Sequence, residues 1–370
     1  MYSINVLIKP ASGLCQMKCN YCFYTDEIKH NNIKMKLMDL SMLEVIVKKV
    51  LETADHECGF AFQGGEPTLA GLDFFKKHIE YQKRYNKKGI KITNVIQTNG
   101  LEINHEWAEF FYENQFLVGL SLDGYQLLHD KNRISKSGEG TFERVMETAA
   151  ILKNYKVDFN ILTVITELSA ANADKIYRFF RRMDFRHQQY IPCIDAFEFN
   201  QEYDKRYLSP EGYYSFLKEL FDLWYEDLLQ NNIIFIRYFI NLLEMMRGYP
   251  PDDCALYPMC GRQYVVEADG SVFPCDFYVN DAYRLGNAVD DTFAQIDKTR
   301  KEIRFCENSG CVPEECLKCS VYQLCTAGCM HYRSQEPTVP SQKNIYCDSY
   351  KKFLPYAMKQ LGLFLRGRRE

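Results

Sequence analysis

No stretch of the 370-residue chain approaches the roughly 18 consecutive apolar residues of a membrane-spanning helix. Neither sign of charge is in excess: 45 Lys and Arg stand against 49 Asp and Glu, a formal net charge of −4. That balance excludes a broadly basic nucleic-acid binder and removes the electrostatic case for a membrane surface. The opening residues, Met1 to Pro10, carry one lysine in a short β-like run and lack a small-residue cleavage site. They do not read as a secretory leader, and a cytoplasmic location is expected. Solenoid-type repeats and low-complexity tracts are also missing. What remains, 46% apolar and 25% charged residues, is the composition of a soluble globular enzyme, long enough for two or three domains.

Cysteine departs from this plainness. There are 15, an odd number, with three between Cys15 and Cys22, ten between Cys254 and Cys347, and only Cys58 and Cys193 elsewhere. A secreted disulfide scaffold would be short and would carry a leader. Clustered thiols in a reducing compartment point instead to metal.

The first two thirds of the chain alternate β-rich runs with amphipathic stretches. The candidate strands are Ile4–Lys9, Gly59–Gln63, Lys91–Gln97, Leu117–Leu122, Asp158–Val164 and His187–Pro192. The candidate helices between them are Leu40–Thr53, Asp73–Tyr85, Glu106–Asn114, Phe142–Lys153 and Ala173–Arg182. This alternation predicts a parallel sheet with crossover helices, and six strands are too few to close an eight-stranded barrel. A partial barrel or open sheet is expected, with the chemistry at the C-terminal strand ends. From about Glu211 the spacing of Tyr213, Phe216, Leu217, Leu220, Phe221 and Trp224 predicts one long core-facing helix. After Pro251 the chain is punctuated by Cys, Gly and Pro with little periodicity, so it needs staples. Within it, Ala268-Asp269-Gly270 between two short apolar runs predicts a hairpin.

Cys15, Cys19 and Cys22 follow the first candidate strand with C-x3-C-x2-C spacing. Three thiolates can hold a metal or cluster while leaving one coordination position open, which separates a catalytic site from a closed structural one. The nearest further Cys or His, His30, lacks ligand-like spacing. A zinc knuckle is the plainer alternative. The second strand runs into Gly64-Gly65-Glu66-Pro67, where glycines permit close backbone approach and a carboxylate can pair with an amino group.

Together, in this order, these elements resemble the signature of the radical S-adenosylmethionine (radical SAM) superfamily. The resemblance implies an α/β fold, a partial (β/α)6 TIM-like barrel of the radical SAM type. It also implies a [4Fe–4S] cluster on Cys15, Cys19 and Cys22, with SAM on its open iron. Tyr21, Gly64, Gly65, Glu66, Ser121, Arg133 and Ile194 are the implied SAM-side residues. The later pattern resembles the SPASM domain: Cys260, nine residues, Gly270, four residues, Cys275, then Cys316-x2-Cys319-x5-Cys325-x3-Cys329 and a distant Cys347. Cys254 adds an eighth thiol. By resemblance Cys254, Cys260, Cys275 and Cys329 hold one auxiliary [4Fe–4S] cluster, and Cys316, Cys319, Cys325 and Cys347 the other, making three clusters in all. Two zinc sites are the alternative. The expected domains are a radical SAM core over residues 1–235 and a Cys-rich iron–sulfur (SPASM) domain with a C-terminal helix over 236–370. Cys58 and Cys193 read as core residues, whereas Cys306 and Cys311 lie close enough to exchange with a ligand.

Within the SPASM group the chain is similar to the anaerobic sulfatase-maturating enzymes. The similarity rests on Ile8-Lys-Pro-Ala-Ser-Gly-Leu-Cys15, Asn20-Tyr-Cys-Phe-Tyr24, Gln97-Thr-Asn-Gly100, Ser121-Leu-Asp-Gly124 and Val266-Glu-Ala-Asp-Gly-Ser-Val-Phe-Pro-Cys-Asp-Phe-Tyr278. It implies conversion of Cys or Ser in a sulfatase Cys/Ser-x-Pro/Ala-x-Arg motif to Cα-formylglycine. Hydrogen abstraction at Cβ by a 5′-deoxyadenosyl radical begins the reaction, and the auxiliary clusters act as electron exit. The implied partners are an unfolded or nascent sulfatase polypeptide and a low-potential donor such as flavodoxin or ferredoxin, with no nucleic acid and no membrane. Asp276, next to Cys275, falls at the family's proposed catalytic base, whereas Asp269 fits a turn cap. A SPASM enzyme forming thioether cross-links and a non-catalytic iron–sulfur electron carrier are the alternative functions.

Overall fold

The structure is a computed structural model and describes residues 3–24, 35–194, 207–333 and 342–367. The chain packs as two compact units that interleave along the sequence. The first comprises Met1–Leu122, Arg133–Asn160 and Arg262–Arg304; the second comprises Asp123–Asn132, Ile161–Gly261 and Phe305–Glu370. Packing thus divides the chain differently from the expected boundary at 235/236. A segment following that boundary folds into the first unit, and residues 161–235 build the second.

In the first unit the strands are β1 (Ile4–Ile8), β2 (Glu57–Phe62), β3 (Lys91–Thr98), β4 (Phe116–Ser121), β8 (Tyr264–Val266), β9 (Ser271–Phe273) and β10 (Gly286–Asn287), in the order β10-β9-β8-β1-β2-β3-β4. Strands β1 to β4 are mutually parallel, with Ile8 opposite Phe62 and Thr98 opposite Leu120. The helices α1 (Leu40–Thr53), α2 (Leu72–Tyr85) and α3 (His105–Glu113) supply the crossovers. Asp39 starts α1 by accepting the Met42 N–H at 2.8 Å, and Asn104 starts α3 by accepting from Trp107 at 3.1 Å. Leu43, Ile46, Val47, Val50 and Leu51 recur at helical spacing and form the buried face of α1. Edge-to-face rings of Phe62, Phe75, Trp107 and Phe116 fill the space beneath the sheet.

Residues 264–273 form the expected hairpin. Gly270 takes φ +85° in its turn, and Asp269 accepts the Ser271 N–H at 2.9 Å, the turn-capping role. The docking of this hairpin was not legible in the sequence. Its first strand runs parallel to β1, with Ile8 opposite Val266, and so extends the sheet on the side away from β2.

The second unit carries three parallel strands, β5 (Phe159–Ile165, from Ile161 onward), β6 (His187–Pro192) and β7 (Phe235–Ile236). The aromatic stripe falls on one helix, Pro210–Leu229, which Ser209 starts by accepting the Gly212 N–H at 3.0 Å. Tyr213, Phe216, Leu220, Phe221 and Trp224 are buried there and pack against the C-terminal helix Cys347–Gly367. The expectation of core rather than chemistry for this stripe agrees with its burial.

Candidate active site

The cysteine loop grows out of β1. Leu14 N donates to the Ala11 carbonyl at 2.8 Å, turning the chain immediately before Cys15. The Gly64–Glu66 turn after β2 is strapped to this same loop: Gly65 N donates to Ser12 O and Glu66 N to Leu14 O, both at 2.7 Å. Gly64 has φ +119°, and a Cβ on Gly65 would lie 2.1 Å from the Leu14 carbonyl oxygen. The paired glycines therefore serve a close approach of backbone to backbone that presets the cysteine loop.

Glu66 is fully buried. Its Oε1 accepts from Thr68 N (3.0 Å), Thr68 Oγ1 (2.6 Å) and Thr98 Oγ1 (2.8 Å), and its Oε2 from Asn99 N (2.7 Å). Burial pushes this carboxyl above the usual range despite these donors. In the fold the carboxylate braces the segments that follow β2 and β3. Asn99 is the residue that faces the thiols, its Nδ2 lying 3.6 Å from Cys15 Sγ. Sequence reasoning quoted Gln97-Thr-Asn-Gly100 without seeing that role.

Tyr21 and Arg133, both expected on the SAM side, are brought together: the guanidinium sits 5.5 Å from the tyrosine ring centroid. Lys18 N donates to Ile134 O at 2.8 Å, which ties the cysteine loop to the segment carrying Arg133. Ser121 is buried at the C-terminal end of β4. Ile194 belongs to the second unit and packs on its core. His30 lies outside the described residues.

Among the described residues, no two of the 15 cysteines are joined by a disulfide. Burial pushes Cys15 up to about 11, with the Coulombic influence of Glu66 and Cys22 in the same direction. In the second unit, Cys329 is pushed up to about 12 by burial, with Cys260 and Cys254 close enough to add to the shift. Cys325 is raised to about 11 by burial, with Cys347, Cys316 and Cys319 contributing. Desolvated thiols that feel one another as charges are a donor set that cations would stabilise. Among the described residues, no three His, Cys, Asp or Glu side chains close on the point a single ion requires.

Arg333, buried, knits the thiol-bearing segments of the second unit. It donates to Gly328 O (3.1 Å), Cys311 O (2.7 Å), Pro258 O (2.6 Å) and Ser309 O. Cys275 lies in the first unit after β9, and Cys58 and Cys193 are buried. Cys306, half-buried, and Cys311, exposed, lie around the short helix Phe305–Ser309.

Around Asp276 the first unit gathers a polar knot that the sequence did not reveal. Tyr24 OH donates to Asp276 Oδ2 at 2.6 Å, and Gln63 Nε2 reaches the same oxygen at 3.2 Å and the Tyr24 hydroxyl at 2.9 Å. Lys9 Nζ lies 2.6 Å from Glu267 Oε1 and 3.3 Å from Asp276 Oδ1. Ser12 Oγ donates to Glu267 Oε2 at 2.5 Å. The available signal was a single lysine following the apolar run Val6-Leu-Ile8.

An open-ended three-thiol loop at the strand ends and a thiol-rich second region together define a class, the radical SAM enzymes with an iron–sulfur extension. Residues 10–180 match the radical SAM superfamily and residues 254–320 an iron–sulfur cluster-binding domain. The cysteine-type anaerobic sulfatase-maturating enzyme of Clostridium perfringens is 46% identical over 98% of each chain. The serine-type enzyme of Bacteroides thetaiotaomicron is 30% identical over 95% of this chain and 88% of its own. A solved structure, native anSMEcpe with bound AdoMet and the Cp18Cys peptide, superposes with a TM-score of 0.94 at 44% identity, covering 99% of this chain and 100% of that one. This chain belongs to the anaerobic sulfatase-maturating enzymes. It is a radical SAM oxidoreductase whose cofactors are SAM and [4Fe–4S] clusters. Among the described residues, no helix is long and apolar enough to cross a membrane.

Proposed function

We propose that this enzyme acts on a sulfatase polypeptide, oxidising the cysteine of a Cys-x-Pro/Ala-x-Arg motif to formylglycine, with serine in that position as the poorer target. Greater identity to the cysteine-type than to the serine-type relatives supports that order. Reaction in the cytoplasm, with electrons from a flavodoxin or ferredoxin, fits the same reading. Cys15, Cys19 and Cys22 hold the cluster that carries SAM, and the eight later cysteines named above hold the auxiliary clusters. When bound, these groups supply the hydrogen-abstracting 5′-deoxyadenosyl radical and an outlet for one electron. Tyr21 and Arg133 flank the SAM side, with Ser121 and Ile194 assigned there by the family resemblance.

Asp276 takes the thiol proton. The substrate loses one Cβ hydrogen atom, one proton and one electron, becoming a thioaldehyde that water converts to the aldehyde and hydrogen sulfide. A base must stand within hydrogen-bond reach of its proton. The observation that carries the assignment is the convergence of Tyr24, Gln63 and Lys9 on the Asp276 carboxylate, with Tyr24 only two residues beyond Cys22.

Asp276→Asn keeps the size of the side chain and removes the basic carboxylate. It is expected to retain cluster content and SAM binding and to lose about 100-fold or more of formylglycine formation. Anaerobic incubation with a short motif peptide, followed by mass spectrometry, reads the outcome. A near-wild-type yield from Asp276→Asn moves the base to another group. A two-hydrogen loss with sulfur retained, made by the wild-type enzyme, replaces maturation by thioether cross-linking.

A further inference from the structure

The carboxylate assigned above as the base does not hold itself in place. It sits in a one-turn helical segment, Asp276–Tyr278, two residues after a three-residue strand. Only 12% of its side chain is exposed. Both of its oxygens are engaged by elements distant in sequence. Tyr24 and Gln63 take Oδ2, and the ammonium of Lys9 faces Oδ1.

Lys9 is an expensive residue at this position. It is 1% exposed, and an ammonium taken out of water costs several kcal/mol unless it is paired. Two carboxylates, Glu267 and Asp276, share it, and the Tyr24 ring lies 4.8 Å from Nζ. The backbone at Lys9 is fixed too, its N–H donating to Val266 O at 2.8 Å. Lys9 is therefore clamped by β8 on its main chain and by Glu267 on its side chain. Glu267 is in turn held by Ser12, at the entrance of the cysteine loop. The chain of contacts Ser12–Glu267–Lys9–Asp276 links that loop to the hairpin along a buried path. A scaffold needing only stability would do as well with apolar side chains of similar volume, since buried ion pairs contribute little net stability. The ionic arrangement supplies direction instead.

We infer that Lys9, held by Glu267, is a positioning residue for the reaction, fixing the orientation of the Asp276 carboxylate relative to the cysteine loop. The inference rests on the reading of Asp276 as base. With the carboxylate misaimed, radical formation continues while product formation lags, so SAM is consumed without formylglycine.

The test uses the reconstituted holoenzyme and the motif peptide, and counts 5′-deoxyadenosine released per formylglycine formed. Lys9→Met is expected to keep its iron content and SAM binding, to lose at least about 10-fold in kcat with a smaller change in peptide KM, and to raise the deoxyadenosine-to-product ratio several-fold. Lys9→Arg, which restores a cation, recovers part of the coupling. Glu267→Gln raises the ratio less than Lys9→Met. A Lys9→Met enzyme with wild-type coupling overturns the inference, as does one in which iron, SAM cleavage and product fall in parallel with no recovery in Lys9→Arg. Asp276→Asn separates this inference from the reading beneath it. If Asp276→Asn makes product normally and Lys9→Met does not, Lys9 acts by another route and the inference fails, while formylglycine formation by the wild-type enzyme stands.

Discussion

The two cysteine-bearing regions of this molecule reach similar ends by different means. The loop of Cys15, Cys19 and Cys22 hangs from a parallel sheet and is strapped by backbone hydrogen bonds to the Gly64–Glu66 turn. Its shape is set by the strands from which it grows. The segments bearing Cys254, Cys260, Cys316, Cys319, Cys325 and Cys329 consist of single helical turns and irregular chain. There a buried arginine gathers four carbonyls and does the work a sheet does in the first unit. The difference teaches that sequence periodicity is the signature of a site built on a scaffold, whereas cysteine spacing is the signature of a site that is its own scaffold. The second kind should depend more heavily on its metal.

Deleting one thiol from each region gives the largest contrast. Cys19→Ala should abolish SAM cleavage altogether, while Cys347→Ala should leave SAM binding measurable and damage formylglycine formation. Reductive SAM cleavage assayed with and without peptide decides it, and wild-type cleavage by Cys19→Ala would refute the first-site assignment.

A smaller effect is expected from Arg333→Met. Orphaning four carbonyls costs at least about 3 kcal/mol. The loss should fall on the second unit alone: iron drops from about twelve per chain toward eight, hydrogen exchange rises near Cys260 and Cys329, and the SAM-binding cluster signal persists. Uniform iron loss would show that the two regions do not load independently.

The smallest effect concerns acid. His78, buried between Phe60 and Phe62 and bonded to Asn94 at 3.0 Å, is depressed to about 4 because burial disfavours its charged form. Its folded pKa lies below the ordinary 6.5, so the unfolded chain binds the proton more readily. Its contribution is therefore complete above about pH 6.5 and fades as pH falls toward 4. In the second unit His331 is depressed further, to about 3, also by burial. His78→Gln should lower the melting temperature at pH 7 yet flatten its decline between pH 6.5 and 5. An unchanged slope would leave His331 as the acid-sensitive histidine.

Much of this was legible beforehand, for reasons that differ by element. The strands β1 to β6 and their helices follow from the apolar period, and the thiol groups from spacing that few other chemistries require. The long helix at Pro210–Leu229 declared itself through its aromatic stripe. What stayed hidden depends on long-range pairing. Nothing local tells that the 264–273 hairpin lies along β1, so Lys9, Glu267 and Asp276 could not be seen as neighbours. The bracing role of Glu66 stayed hidden because a Gly-Gly-Glu-Pro run does not say that Thr68, Thr98 and Asn99 donate to its carboxylate. Asn99 and Arg333 carry no motif at all, because their work is to bond backbone groups brought near by the fold.

The parallel pairing of β1 with β8 also sets the order in which the molecule can be completed. Strand β1 ends at Ile8 and its partner begins only at Tyr264, so during synthesis one edge of the first strand stays without its neighbour until most of the chain has emerged. Closing a loop of that length is slow compared with local helix formation, and an unpaired apolar edge invites association with other chains. Throughout that interval Cys15, Cys19 and Cys22 are already made while Glu267 and Asp276 are not. The nascent protein therefore passes through a stage at which Lys9 has neither of the carboxylates that pair with it.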